Sequence, residues 1–181
     1  FTAYDVRARI YRCVFAGACG VTYGHHHIWQ FVNDELYPPI NIGDTLIGWQ
    51  KALRAPAAFQ MQHLKNLMLS RPYFNRIEDA SIIVSNRGTD YTNYVVATRD
   101  RDGQFLMVYL PENKPVMVDL KKVSGVQKNV WWFNPVSGKA NFVARVKKTG
   151  TVTFTPPVEG KDWVLVVDNA ELNFKSPGSM N

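Results

Sequence analysis

The stretch Gly20-Val21-Thr22-Tyr23-Gly24-His25-His26-His27-Ile28-Trp29-Gln30-Phe31 decides how the first part of the chain is read. It opens with a short β-branched and aromatic run between two glycines. It then turns into three histidines, a tryptophan and a glutamine. An amphipathic pattern precedes it and a helical region follows. The run is therefore predicted to be one strand of an α/β unit, with the histidine-rich segment as the loop leaving its C-terminal end. In parallel α/β folds that edge is where ligands bind.

Upstream, Thr2 is placed to cap a helix from about Ala3 to Ala18. Val6, Ile10, Cys13 and Val14 form one apolar stripe at helical spacing, with Arg7, Arg9 and Arg12 mostly off it. Gly20 supplies the turn into the strand. Downstream, residues 24–43 form a long connection, broken by Pro38-Pro39 and Gly43 and made polar by Asn33-Asp34-Glu35. Connections of this length either act or pack as a lid. Asp44 or Thr45 caps a second helix through about Leu53. Pro56 suits the first turn of another, which carries Phe59, Leu64, Leu67 and Met68 inward and ends before Arg71-Pro72.

From Ser81 the apolar period changes from helical to alternating. Strands are predicted near 81–84, 93–99, 104–110, 115–119, 128–133, 140–146, 151–155 and 162–168. Explicit turns such as Asp100-Arg101-Asp102-Gly103 separate them, the mark of an antiparallel β-sandwich. The strand over 162–168 is apolar throughout and should be central, covered on both faces. The division is 1–75 for the α/β part and 76–175 for the sandwich, with 176–181 as a frayed tail.

The 181 residues are 46% hydrophobic and 20% charged, enough to bury a core and unlike a disordered chain. The net charge of +6 is scattered, densest at Lys121-Lys122 and Lys147-Lys148, and no basic helix or RNA-binding aromatic motif accompanies it. No nucleic-acid partner is expected. No apolar run reaches transmembrane length, so no membrane partner is expected either. Cys13 and Cys19 read as buried free thiols rather than a disulfide. Phe1 runs almost directly into a helix without an initiator Met, which suggests a piece of something longer.

In order, the chain presents G-A-C-G-V-T-Y-G-H-H-H-I-W-Q, A-A-F-Q-M, L-K-N-L-M-L-S-R-P-Y-F, Y-V-V-A-T-R-D-R-D-G, V-Y-L-P, W-W-F-N-P-V-S-G, F-T-P-P and D-W-V-L-V-V-D. As a set these resemble the C-terminal part of the apiosidase-like glycoside hydrolases. Those proteins have a (β/α)8 barrel followed by a β-sandwich often labelled a collagen-binding domain. The resemblance implies a fold that is α/β plus all-β: the terminal segments of the barrel (helix 7, strand 8, helix 8), then an antiparallel sandwich of about eight strands. It also implies two catalytic carboxylates at barrel strands 4 and 7, upstream of Phe1, so that no catalytic residue lies in this chain. The expected partners are an oligo- or polysaccharide and the N-terminal remainder of the barrel, with a secreted or periplasmic location and no cofactor.

Glycoside hydrolysis needs a pair of carboxyl groups. Asp5, Asp34, Glu35 and Asp44 are the acids of the barrel-like part. Asp5 opens a helix and Asp44 reads as a cap, while Asp34 and Glu35 are neighbours that point apart in most backbones. His25, His26 and His27 invite a metal reading, but no further ligand motif accompanies them, so no metal is expected. For His25 and His26 two readings stand side by side: hydrogen bonding to sugar hydroxyls, or an exposed polar loop. Trp29 offers a flat apolar face and an edge N–H donor, or else a core anchor. Gln30 bonds hydroxyls in both senses, and Tyr23 either donates to substrate or packs. Substrate-binding candidates are thus Tyr23, His25, His26, Trp29 and Gln30. In the sandwich, Trp132 is the candidate exposed aromatic. The alternative function is a non-catalytic module binding carbohydrate or matrix protein.

Overall fold

The computed structural model describes residues 1–33, 47–90, 92–147 and 149–179. The expected acids Asp34, Glu35 and Asp44 and the cap at Asp44 or Thr45 lie outside these residues. Among the described residues, four helices come first: α1 (Ala3–Phe15), α2 (His26–Trp29), α3 (Trp49–Ala52) and α4 (Pro56–Leu69). Eight strands follow: β1 (Arg76–Glu78), β2 (Val96–Asp100), β3 (Phe105–Leu110), β4 (Val116–Asp119), β5 (Lys128–Phe133), β6 (Ala140–Val146), β7 (Thr151–Phe154) and β8 (Trp163–Asn169).

Thr2 and Asp5 start α1 with a reciprocal cap. The Thr2 hydroxyl accepts from the Asp5 backbone N–H, and the Asp5 carboxylate accepts from that of Thr2. The buried side of α1 is Arg7, Ala8, Tyr11, Val14 and Phe15. This is rotated from the predicted stripe: Val6 and Ile10 are half-buried and Cys13 is exposed. A charged Arg7 on the inward face escapes any hydrophobic pattern, because its partner is far away in sequence. Both cysteines are free and exposed, correcting the buried reading. In α4 the inward set is Ala57, Gln60, Leu64, Leu67 and Met68, while Phe59 is 56% exposed. One residue before Gln60, it sits about 100° off that face.

The predicted strand at Val21–Tyr23 is not one. These residues join no ladder, and every strand pairing among the described residues is antiparallel. A barrel strand exists only through parallel neighbours, and none is present to pair with it.

The strands form a six-stranded sheet in the order β1-β2-β3-β8-β5-β6 and a two-stranded sheet of β4 and β7. The segment predicted as a strand over 81–84 is a 3₁₀ turn, Ala80–Ile82, with Ile83 bridging to Val118. The first strand lies instead at Arg76–Glu78. Asp79 causes the shift by capping the turn at the Ser81 N–H.

Alternation along β3 and β8 defines two cores. Leu106, Val108, Leu110, Trp163, Leu165 and Val167 face β4 and β7. Phe105, Met107, Tyr109, Val164 and Val166 face the helices, with Ala8, Tyr11, Phe15, Leu64 and Leu67 opposite. The centre of the large sheet is thus covered on both sides, while edge strand β6 leaves Phe142 and Val143 exposed. This explains why β3 and Trp163 to Val167 of β8 read as apolar runs and why every residue of both strands is buried. It also corrects Trp132, which is 3% exposed and packs edge-on against Trp163. Trp131 is the half-exposed one, set against Phe142.

Two buried ion pairs join the helices to this sheet. Arg7 donates two bonds to Asp162, which also accepts from the Tyr109 hydroxyl, and Arg7 donates a third bond to Gln60. Arg71 donates two bonds to Asp168. One clamp precedes β8 and the other closes on its sixth residue, about 20 Å apart. The described part of the C-terminal tail, 176–179, packs against the protein: Pro177 is buried and the Gly178 N–H donates to Ser70 Oγ. Gly178, at φ 82°, lets the backbone meet the Phe133 ring where a Cβ would collide at 2.7 Å.

Candidate functional site

The histidine-rich segment, expected as an extended loop, is a single helical turn. His25 caps it, its ring accepting from the His27 backbone N–H. The turn ends in a Schellman motif: Phe31 N–H donates to the Ile28 carbonyl and Val32 N–H to that of His27. The pivot is Phe31 at φ 50°, where glycine is the usual occupant. Val32 and His27 are buried beneath it. The Trp49 backbone N–H donates to the Val32 carbonyl, tying α3 to α2.

This arrangement turns the aromatics outward. Trp29 is 67% and Phe31 66% exposed, and Phe31 meets the half-buried Trp49 edge-on at 6.0 Å. Trp29 Nε1 donates to His26 Nδ1 at 3.0 Å, and His26 Nε2 lies 2.7 Å from the Gln30 amide. Burial pushes the His25 imidazole below its ordinary range, and the neighbouring His27 and His26 add to the effect. His25 is therefore favoured as a neutral ring able to bond in either sense.

The structure brings His25, His26, Trp29 and Gln30 together on α2 and its caps and sets Tyr23 apart. Tyr23 lines an apolar cleft of about 470 Å³ with Val14, Val21, Met61, Leu64 and Met68. Burial raises its phenol above the ordinary range. Sequence reasoning missed Phe31 and Trp49. Phe31 beside the histidine segment was a signal, but only the αL pivot reveals that it projects outward, and Trp49 is too far along the chain to have been linked to it.

Among the described residues of 1–75, Asp5 is the only carboxylate, and the Thr2 cap holds it. Asp162 and Asp168 are buried against arginines. No described group of three or more His, Cys, Asp and Glu could hold a metal ion. No helix among the described residues is long and apolar enough to cross a membrane.

Residues 1–75 match the family model described as "Apiosidase-like, catalytic domain", and residues 77–168 match "Putative collagen-binding domain of a collagenase". No curated protein matches the chain. One similar solved structure, titled a glycoside hydrolase, is 36% identical with a TM-score of 0.84. It is covered over 38% of its length and covers 94% of this chain. Another, a family 5 glycoside hydrolase from Bacteroides vulgatus, is 33% identical with a TM-score of 0.87, over 38% of its length and 98% of this chain. The chain thus spans well under half of each relative, and the fold is that of terminal barrel segments followed by a β-sandwich.

Proposed function

This chain belongs to the family that joins an apiosidase-like catalytic domain to the collagen-binding-type sandwich, and on that premise we propose that it serves as the C-terminal portion of a glycoside hydrolase acting on plant or bacterial glycans. The remainder of the barrel supplies the two carboxylates. The turn around His26–Trp29 shapes the sugar pocket, and the sandwich braces the barrel end. The observation that carries this reading is the outward pair Trp29 and Phe31 beside the polar groups of His25, His26 and Gln30. Flat apolar faces next to convergent hydrogen-bonding groups suit a sugar ring. A secreted or periplasmic location belongs to the same proposal, since polymeric glycans lie outside the cell.

In the parent enzyme, Trp29→Ala and His25→Ala each reduce turnover at unchanged melting temperature; unaltered kinetics in both variants removes this surface from the pocket. The purified 181-residue chain alone is expected to turn over neither aryl glycosides nor plant polysaccharides. Hydrolysis by it would place the acids within the chain. The alternative of a free-standing binding module draws no support from Trp132, which is buried in the sandwich core.

A further inference from the structure

The Trp29 indole carries a single hydrogen-bond donor, and that donor is already given to His26 Nδ1 at 3.0 Å. The bond fixes the His26 tautomer. An indole N–H only donates, so Nδ1 accepts, and the neutral ring carries its proton on Nε2. Nε2–H then faces the Gln30 side-chain nitrogen at 2.7 Å, two donors together, and turning that amide end for end puts its oxygen there to accept. The imidazole stands edge-on to the indole, with centroids 5.3 Å apart and planes at 76°. Hydrogen bond and ring edge together restrain both side-chain torsions of Trp29, while its face stays open to solvent.

We propose that His26 is a positioning residue that fixes the Trp29 indole as a face-on platform, so that this surface grips a sugar ring by its C–H face and not through a hydroxyl on the indole N–H. The proposal rests on the sugar-pocket reading above. A hydroxyl reaching for Nε1 must first displace the imidazole, whereas a C–H face stacks without disturbing it. The ligand class is accordingly a pyranoside with one face free of axial hydroxyls, and the selection it makes is geometric.

The test uses the chain with isotope-labelled tryptophan, in which Trp29→Phe assigns the Trp29 indole N–H resonance. His26→Ala moves that resonance to its solvent-exposed position and speeds its exchange several-fold, leaving the other four tryptophans unmoved. His26→Asn, whose amide oxygen accepts in place of Nδ1, restores part of the shift. An unmoved Trp29 N–H in His26→Ala overturns the proposal. Methyl β-D-galactopyranoside and cellohexaose are then added to the unsubstituted chain. The expected result is a shift of the Trp29 ring C–H signals with the N–H signal nearly still. A larger movement of the N–H overturns the face-on grip. No response at Trp29 to either sugar sinks the pocket reading and the grip with it, while the His26→Ala spectrum still reports on the hydrogen bond by itself.

Discussion

Phe31 shows how much one residue decides. Its φ of 50° closes the turn that carries Trp29, in a conformation that costs an L-residue about 1–2 kcal/mol. Strain of this kind persists where surrounding structure enforces it, and it clusters at functional sites. Phe31→Gly and Phe31→Ala both delete the ring, so comparing them isolates the backbone. The glycine variant is expected to be more stable than the alanine variant by about 1 kcal/mol in urea unfolding. Equal stabilities would mean that the αL cap is absent. Asp79 offers a second residue-scale check. Burial acts to raise its carboxyl, but hydrogen bonds from Arg99 and Ser81 and the Lys122 charge outweigh it and bring it down to about 2. A carboxyl depressed in the folded state stabilises fully above its unfolded value, near 4, and loses that contribution as pH falls towards 2. The stability gap between the protein and Asp79→Asn should therefore be constant above pH 5 and shrink between pH 4 and 2. A gap that stays flat to pH 2 would discount the Arg99 and Ser81 bonds.

Among the elements, β8 is the one the rest is built against, and its character was legible: five consecutive apolar residues, Trp163 to Val167, announce a doubly covered strand. The arginines that clamp it were not. Arg7 reads as a solvated helix charge, because its partner Asp162 is 155 residues away and no local pattern links them. The same limit hid α2. Three histidines in a row suggest a loop, and only the cap from His25 and the pivot at Phe31 turn them into a helix. The Val21–Tyr23 run was misread for another reason. Strand composition is visible in sequence, but a parallel strand is made by its neighbours. The clamps are open to direct trial. Arg7→Met leaves Asp162 buried with only the Tyr109 hydroxyl, and Asp162→Asn leaves Arg7 a buried uncompensated charge. Each is expected to destabilise by about 3–5 kcal/mol. Joining the two removes both charges at once, so the double variant loses less than the sum. Strict additivity in a double-mutant cycle would show that the pair is not coupled.

At the scale of the molecule, the centre of the large sheet has two covered faces, and the helices cover one of them. Phe105, Met107, Tyr109, Val164 and Val166 form this face of the core with residues of α1 and α4 packed on them. A sandwich cut free at residue 76 would expose this face. It would also strand Asp162 and Asp168 without Arg7 and Arg71. The two-stranded partner of β4 and β7 cannot compensate, because it covers the opposite side. Residues 76–175 expressed alone should accordingly lack a cooperative urea transition and bind a hydrophobic dye, whereas the whole chain unfolds in one step. The result bears on function as well as on stability. A module that grips polysaccharide or matrix protein on its own must fold on its own. A brace need fold only against the barrel end it supports. If 76–175 unfolds cooperatively and is retained on a polysaccharide affinity gel, the clamps are incidental and the module reading wins. If it collapses, helices and sandwich form one folding unit, in which α1 and α4 complete the sheet's second face.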